Sequence, residues 1–185
     1  ALRPVPFNEV ELKDSFWLPR LRIQAETTVP HALKQTEPAV ERLHLCAEFL
    51  KQGEGPLPQP HRFISSDLFK VMEGAAYTLM IKPNPELEDQ LDCIIEAIGA
   101  AQQEDGYLYV SHSCGNPFPR EMGETPYSYV VHSHELYNMG HMYEGAIAYC
   151  RATGKNAWLK MAEKSAQHIN QVFFQGDPLY NQGTP

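Results

Sequence analysis

Apolar residues recur at helical spacing along nearly the whole chain from Asp14 onward, and this pattern constrains the fold more than any other feature. Gly and Pro residues concentrated at 53–60 and 114–126 predict loops between the helical stretches. We therefore expect an all-α fold with a short β-hairpin-like insertion around Leu108–Val110. Six helices are predicted, over about 14–35 (interrupted by Pro19 and Pro30), 38–52, 66–82, 84–106, 133–153 and 156–176.

Residues typical of helix ends support these boundaries. Asn84, followed by Pro85, is predicted to cap the fourth helix, and Asn156 to cap the sixth. Gly53 and Gly154 are predicted to end the helices that precede them, because glycine readily adopts the left-handed conformation found after a helix.

A weak internal repeat relates two of the predicted helix pairs. Residues 72–75 (Met-Glu-Gly-Ala) precede a Pro-Asn turn and an amphipathic helix, and residues 143–146 (Tyr-Glu-Gly-Ala) precede a Gly-Lys-Asn turn and another such helix. Such stacked hairpins are typical of a toroid or solenoid, although chance similarity between Ala-rich helices is the alternative. Six helices make three hairpins, so we expect residues 1–185 to form the N-terminal half of a larger barrel-like domain.

The charge and hydropathy of the chain exclude two classes of partner. The net charge is −8, from 15 basic and 23 acidic residues, which leaves no basic surface for a phosphate backbone. No apolar run approaches the roughly 20 residues that a membrane-spanning helix needs. We therefore expect neither nucleic-acid binding nor a membrane span, whereas the oligomeric state and the compartment, bacterial cytoplasm or periplasm, stay open.

The four cysteines are far apart and include no C-x-x-C pair, so neither a zinc ribbon nor a disulfide-stapled scaffold is predicted. Buried free thiols are the favoured interpretation. Cys46, Cys93 and Cys150 lie in predicted helices. Cys114 lies in a predicted loop and is the candidate for reactivity, although no basic residue neighbours it in sequence.

His134, Asn138 and His141 fall at positions i, i+4 and i+7 of the fifth predicted helix and form one polar stripe. The stripe either lines a water-filled cavity, which we favour, or satisfies a buried polar network. The zinc-protease motif H-E-x-x-H fails, because Asn138 stands where the second histidine is required. The two histidines have no third ligand at a spacing that would predict a metal site.

Charged residues near the third helix and after the fourth admit two interpretations each. Asp67, Lys70 and Glu73 form either a surface ion-pair ladder or a charged cavity end that holds ligand hydroxyls. Asp105, before Gly106, belongs first to a turn and second to a candidate site. The sequence contains neither a phosphate-binding P-loop nor a G-x-S-x-G nucleophile elbow.

An ordered series of phrases lies at 14–17, 66–77, 102–108, 134–141 and 148–155. Together these phrases resemble the β-L-arabinofuranosidase family, glycoside hydrolase family 127. The resemblance implies an (α/α)6 barrel acting on plant-derived or similar glycans, with retention of configuration. It also implies a zinc-bound cysteine thiolate as nucleophile and a glutamate as general acid/base, all beyond residue 185. The chain is therefore expected to contain no catalytic or metal-binding residue and to be inactive by itself.

The resemblance assigns a sugar-binding role to residues of this chain. His134, in the His-Glu-Leu-Tyr phrase, resembles the family's cavity histidine that hydrogen-bonds sugar hydroxyls, and Phe63 resembles an apolar wall of the same pocket. His141 and Asp105 are further candidates. Two alternatives remain open, a glycosidase for another acidic or branched sugar and a noncatalytic helical scaffold that binds a protein or glycan.

Overall fold

The computed structural model describes residues 2–59, 61–114 and 119–175, and these residues form helices and loops without a β-strand. A 3₁₀ turn at Phe7–Glu9 precedes the first helix, and a π-helical turn at Gln24–Thr28 joins the first two. The helices are α1 Trp17–Ile23, α2 Val29–Gln35, α3 Glu37–Gln52, α4 Ile64–Ile81, α5 Pro85–Ala101, α6 Val110–Ser113, α7 Pro119–Met122, α8 Val130–Ser133, α9 Glu135–Thr153 and α10 Ala157–Phe174.

The long helices form two layers of three. Helices α2, α4 and α9 lie side by side in one layer, and α3, α5 and α10 pack behind them in the other. Consecutive helices from the two layers form the hairpins α2–α3, α4–α5 and α9–α10. This is the all-α arrangement of helical hairpins that the sequence predicts.

The parallel direction of α4 and α9 decides which residues meet. Phe63, directly before α4, contacts His134, directly before α9. One to two turns later, Lys70 of α4 contacts Tyr137 of α9. Because contacts advance in the same direction along both helices, the starts of α4 and α9 lie at the same end of the layer.

Local chemistry explains several helix ends. The Asn84 side chain accepts a hydrogen bond from the Leu87 N–H at 3.2 Å, which confirms the predicted cap of α5. Gly53 and Gly154 end α3 and α9 in the left-handed conformation, also as predicted. Asn156 occupies the predicted cap position of α10, but its side chain makes no capping hydrogen bond.

Two local predictions need correction. The expected β-hairpin-like insertion is absent from the described residues, where Tyr107–Tyr109 is irregular and Val110–Ser113 forms the helical turn α6. The first helical stretch is not broken at its prolines. Pro19 lies in the first turn of α1 and needs no N–H donor, and the π-helical turn carries the helix into α2, which contains Pro30. The predicted end of the sixth helix at Gly176 lies outside the described residues.

The core lies between the two layers and depends on one close approach. Trp158 of α10 is fully buried and packs against Phe69 of α4 and Tyr149 of α9. A Cβ atom on Gly145 would lie 2.5 Å from the Trp158 ring, so α9 needs a glycine here. The repeat-related Gly74 has no such neighbour, because a Cβ there would meet nothing within 4 Å.

None of the helices in the described ranges is both long and apolar enough to cross a bilayer.

Candidate functional site

Four ring-bearing side chains form a continuous cluster at the start of α4 and α9, which we call the aromatic face: Phe63, His134, Tyr137 and His141. Ring centroids lie 4.5 Å apart for Phe63 and His134, and 4.7 Å apart for Tyr137 and His141. Tyr137 joins the two pairs, since its centroid lies 6.0 Å from that of His134. Phe63 is 41% and Tyr137 is 43% exposed, so the cluster is open to solvent.

Three of the four predicted sugar-binding residues therefore lie on one surface. Phe63 and His134 touch directly, whereas His141 reaches them through Tyr137. His141 Nδ1 also lies 3.3 Å from the Glu144 carboxylate, one helical turn further along α9.

Asn138 connects the two segments that carry the aromatic face. It is fully buried, and its Nδ2 donates to the carbonyl oxygens of Arg62 at 2.8 Å and His134 at 2.7 Å. These bonds join the residue before Phe63 to the start of α9. Of the two interpretations of the polar stripe, Asn138 therefore fits the buried polar network. Its bonds position the ring pair of Phe63 and His134.

A charged group borders the aromatic face. Lys70 Nζ donates to the Tyr137 hydroxyl at 2.7 Å and lies 3.7 Å from the Asp67 carboxylate. Glu73 does not extend this pair, because its carboxylate accepts from the Tyr77 hydroxyl at 2.8 Å instead. The predicted three-residue ladder is therefore one exposed ion pair that leads to Tyr137.

The backbone of His134 adopts an uncommon conformation. Its φ of 60° and ψ of 26° lie in the left-handed region, which costs free energy for a residue with a Cβ atom. His134 Nδ1 lies 2.7 Å from the His132 carbonyl oxygen. Since that oxygen can only accept, Nδ1 carries a proton, and in the neutral ring Nε2 is left as an acceptor.

The next residue, Glu135, is the centre of a buried hydrogen-bond network. Its side chain accepts from the Tyr107 hydroxyl at 2.5 Å, the Tyr127 N–H at 3.0 Å and the Ser133 hydroxyl at 2.6 Å. We call these four residues the Glu135 network. Buried carboxylates need such donors, because an unsatisfied charge away from water costs several kcal/mol (about 3 or more).

The phenols beside Glu135 act as fixed donors. Burial, followed by the charge of Glu135, raises the pKa of Tyr107 well above 10.0, the ordinary value for tyrosine. Burial and Glu135 also raise the pKa of Tyr109, whose hydroxyl donates to the Ser133 carbonyl oxygen. The chain around His134 is therefore held from its buried side.

Asp105, the fourth predicted residue, lies apart from the aromatic face. Its Oδ1 accepts from the Tyr107 N–H at 2.9 Å, and its Oδ2 lies 3.4 Å from His168 Nδ1. No contact among the described residues joins it to Phe63, His134 or His141.

Sequence reasoning assigned no site role to Tyr137 or to Glu135. Tyr137 could have been found from its spacing, since His134, Tyr137 and His141 lie at i, i+3 and i+7. Nothing in the sequence pairs Glu135 with Tyr107, which is 28 positions away.

The described residues do not fit a metal ion. Across 2–59, 61–114 and 119–175, no group of three or more His, Cys, Asp or Glu side chains is arranged to hold one.

Comparisons with known proteins agree with this fold. The sequence profile of the β-L-arabinofuranosidase GH127 catalytic domain matches residues 9–179. A non-reducing end β-L-arabinofuranosidase of Bifidobacterium longum subsp. longum is 35% identical over 157 residues, which cover 81% of this chain and 23% of that protein.

Two solved structures are similar in sequence and in fold. A GH127 β-arabinofuranosidase superposes with a TM-score of 0.83 at 32% identity, over 94% of this chain and 28% of the other. A GH127 β-L-arabinofuranosidase from Geobacillus stearothermophilus T6 gives a TM-score of 0.75 at 33% identity, over 90% and 26%. The chain spans about a quarter of the length of these relatives. It belongs to the GH127 β-L-arabinofuranosidase catalytic-domain family.

Proposed function

We propose that this chain is the N-terminal half of the (α/α)6 barrel of a β-L-arabinofuranosidase, and that its aromatic face binds the sugar. The contact between Phe63 and His134 on an exposed surface carries the proposal. The relatives are glycosidases named for β-L-arabinofuranose, and this favours a glycosidase over a noncatalytic scaffold.

His134 supplies the directional contact. With its Nδ1 proton directed at the His132 carbonyl, Nε2 can accept a hydrogen bond from a sugar hydroxyl. The left-handed backbone and the buried Glu135 beside it fix where the ring points. The sugar hydroxyl therefore meets a preset acceptor, which limits the entropy lost on binding.

Phe63 and Tyr137 supply the apolar contact. A furanose ring carries C–H groups between its hydroxyls, and these groups gain free energy when they leave water against an aromatic ring. Lys70 and Asp67, at the edge of the aromatic face, offer a donor and an acceptor for further hydroxyls. An apolar wall with a few polar groups at its rim is typical of a small-ligand site.

The bond-breaking step is assigned to other parts of the whole protein. Family resemblance implies a cysteine nucleophile that zinc would hold as a thiolate and a glutamate as general acid/base, with retention of configuration. The described residues do not fit a zinc site, so no nucleophile, acid or metal ligand is assigned here. We expect this segment alone not to hydrolyse glycosides.

The test is His134→Ala in the full-length protein, with kcat/KM measured on an aryl β-L-arabinofuranoside. Loss of a buried sugar hydrogen bond costs about 1–3 kcal/mol, so kcat/KM should fall roughly 5-fold to 150-fold. His44→Ala, at an exposed position on α3, is the matched control and should leave it unchanged. An unchanged kcat/KM for His134→Ala would refute the proposed role.

A panel of other glycosides, including acidic and branched ones, tests the identity of the sugar separately from the location of the binding site. If another glycoside is the better substrate and His134→Ala lowers its kcat/KM by the same factor, the site is retained and the arabinose assignment is wrong.

A further inference from the structure

Lys70 fixes the hydrogen-bond role of the Tyr137 hydroxyl. Lys70 Nζ lies 2.7 Å from the Tyr137 oxygen, and an ammonium group can only donate. The Tyr137 oxygen is therefore the acceptor of this bond, and its own proton points elsewhere. No hydrogen bond in the described part of the chain uses that proton. Asp67, whose carboxylate lies 3.7 Å from Lys70 Nζ, helps to keep the ammonium group at the edge of the aromatic face.

Tyr77, another tyrosine of the same helix layer, shows the opposite arrangement. Its hydroxyl donates to the Glu73 carboxylate at 2.8 Å, so its proton already has an acceptor. Tyr77 is 41% and Tyr137 is 43% exposed, so exposure does not distinguish the two phenols. The charge of the neighbour does, because a carboxylate takes the proton of Tyr77 whereas an ammonium group leaves the proton of Tyr137 for another acceptor.

Neighbouring rings hold Tyr137 in place. Its ring lies nearly perpendicular to three others, at 90° to Phe63, 88° to His134 and 82° to His141. The ring centroids are 6.1, 6.0 and 4.7 Å away, in the same order. Together with the bond from Lys70, these contacts position the hydroxyl donor before a ligand arrives, which reduces the entropy lost on binding.

His134 offers the complementary group on the same face. Its Nδ1 proton is directed at the His132 carbonyl oxygen, so Nε2 of the neutral ring is an acceptor. The ring centroids of His134 and Tyr137 lie 6.0 Å apart, a separation that a single monosaccharide can span. The aromatic face therefore presents one acceptor and one donor to the same ligand.

We propose that Tyr137 is a specificity-determining residue, and that Tyr137 and His134 together select a sugar with two free hydroxyl groups in opposite hydrogen-bond roles. This inference rests on the proposed function. One sugar hydroxyl donates to His134 Nε2, and a different hydroxyl of the same sugar accepts from the Tyr137 phenol. In this role Lys70 is a positioning residue, since it acts on the sugar through Tyr137.

The first experiment measures kcat/KM of the full-length protein on an aryl β-L-arabinofuranoside. Tyr137→Phe keeps the ring and removes the donor, so kcat/KM should fall about 2-fold to 12-fold, the effect of one neutral hydrogen bond. Tyr77→Phe is the matched control and should leave kcat/KM unchanged, because that hydroxyl already donates to Glu73. Circular dichroism checks the fold of both variants.

Deoxy analogues of the same glycoside, each lacking one hydroxyl, pair each residue with its partner. Every analogue is compared with itself in variant and unmodified protein, so differences in intrinsic reactivity cancel. One analogue should remove the effect of Tyr137→Phe and keep that of His134→Ala, and a different analogue should do the reverse. Coupling of both residues to the same hydroxyl, or of Tyr137 to none, would overturn the inference.

Lys70→Met tests the positioning role in a double-mutant cycle. Removal of the ammonium group should lower kcat/KM where Tyr137 is present, by no more than Tyr137→Phe does, and should have no further effect in the Tyr137→Phe background. Lys70→Arg keeps a charged donor and should retain most of kcat/KM. Equal effects of Lys70→Met in the two backgrounds would show that Lys70 does not act through Tyr137.

The outcomes separate this inference from the proposed function. If His134→Ala lowers kcat/KM and Tyr137→Phe does not, the aromatic face binds the sugar but the Tyr137 hydroxyl makes no contact, and the inference is wrong. If neither substitution lowers kcat/KM, the proposed function itself is wrong.

Discussion

The first turn of α9 has two sides that differ in almost every physical respect, although they are formed by consecutive residues. His134 lies on the open aromatic face with Phe63 and Tyr137, whereas Glu135 is buried among hydroxyl and N–H donors. The open side is accessible to solvent but has little packing to hold its strained backbone. The buried side has no room for a ligand but holds that backbone in place. The comparison predicts that binding and stability are divided between neighbours in sequence.

The largest effect is expected from Glu135→Ala on the buried side. The substitution leaves the donors of Tyr107, Tyr127 and Ser133 without their acceptor, which should lower the free energy of unfolding by about 3 kcal/mol or more. Urea denaturation measures the loss. Glu144→Ala, at a side chain that is 63% exposed on the same helix, is the control and should change stability by less than about 0.5 kcal/mol. Equal effects of the two substitutions would contradict the comparison.

An intermediate effect is expected from Asn138→Ala, which removes the link between the two segments that carry the aromatic face. Two hydrogen bonds to carbonyl oxygens are lost, so stability should fall by about 1–3 kcal/mol. Because the Arg62 carbonyl is released beside Phe63, KM for the glycoside should rise as well. Asn170→Ala, at an exposed position of α10, should change neither quantity. A stability loss with unchanged KM would show that Asn138 does not position the aromatic face.

A smaller effect, confined to binding, is expected from Phe63→Ala on the open side. The side chain is 41% exposed, so its removal should cost less than about 1 kcal/mol of stability. Loss of the apolar wall should raise KM about 3-fold to 10-fold, as expected for roughly 1 kcal/mol of buried apolar surface. Phe174→Ala, at an exposed phenylalanine of α10, should leave KM unchanged. If both variants behave alike, the aromatic face is not the binding surface.

The smallest effect is expected from Asp105→Asn. The amide oxygen still accepts the Tyr107 N–H bond, so stability should change by less than about 0.5 kcal/mol. The kcat/KM should not change, because the contacts of Asp105 are with Tyr107 and His168 and not with the aromatic face. A fall in kcat/KM as large as that of His134→Ala would show that Asp105 belongs to the binding site.

Much of the fold follows from local sequence signals. Helical periodicity predicts the hairpins, and the cap at Asn84 and the glycine ends at Gly53 and Gly154 act within one helical turn. The short helices α6, α7 and α8 have no comparable signal, because four residues are too few to display a period of 3.6. The β-hairpin-like interpretation of Leu108–Val110 failed for that reason, although the backbone of Tyr109 is extended.

The residues of the candidate site could be predicted from the sequence better than their arrangement in space. His134 lies within a family phrase and Phe63 lies just ahead of one, but their contact requires α4 and α9 to run side by side in the same direction. The sequence places Asn138 in the polar stripe, but one of its two carbonyl partners, Arg62, comes from the chain before α4. Spacing along one helix cannot indicate a partner that another helix supplies.

The sequence by itself determined the class of fold, the helix pairs and the family, because these depend on periodicity, caps and phrases within short stretches of chain. Only the tertiary structure decided which groups share a buried environment. Tyr107 lies 28 positions before Glu135 in sequence, and packing alone brings its hydroxyl to 2.5 Å from the Glu135 carboxylate. Burial and the field of a nearby charge are set by residues that fold into contact, so the chemistry of a side chain depends on the whole domain.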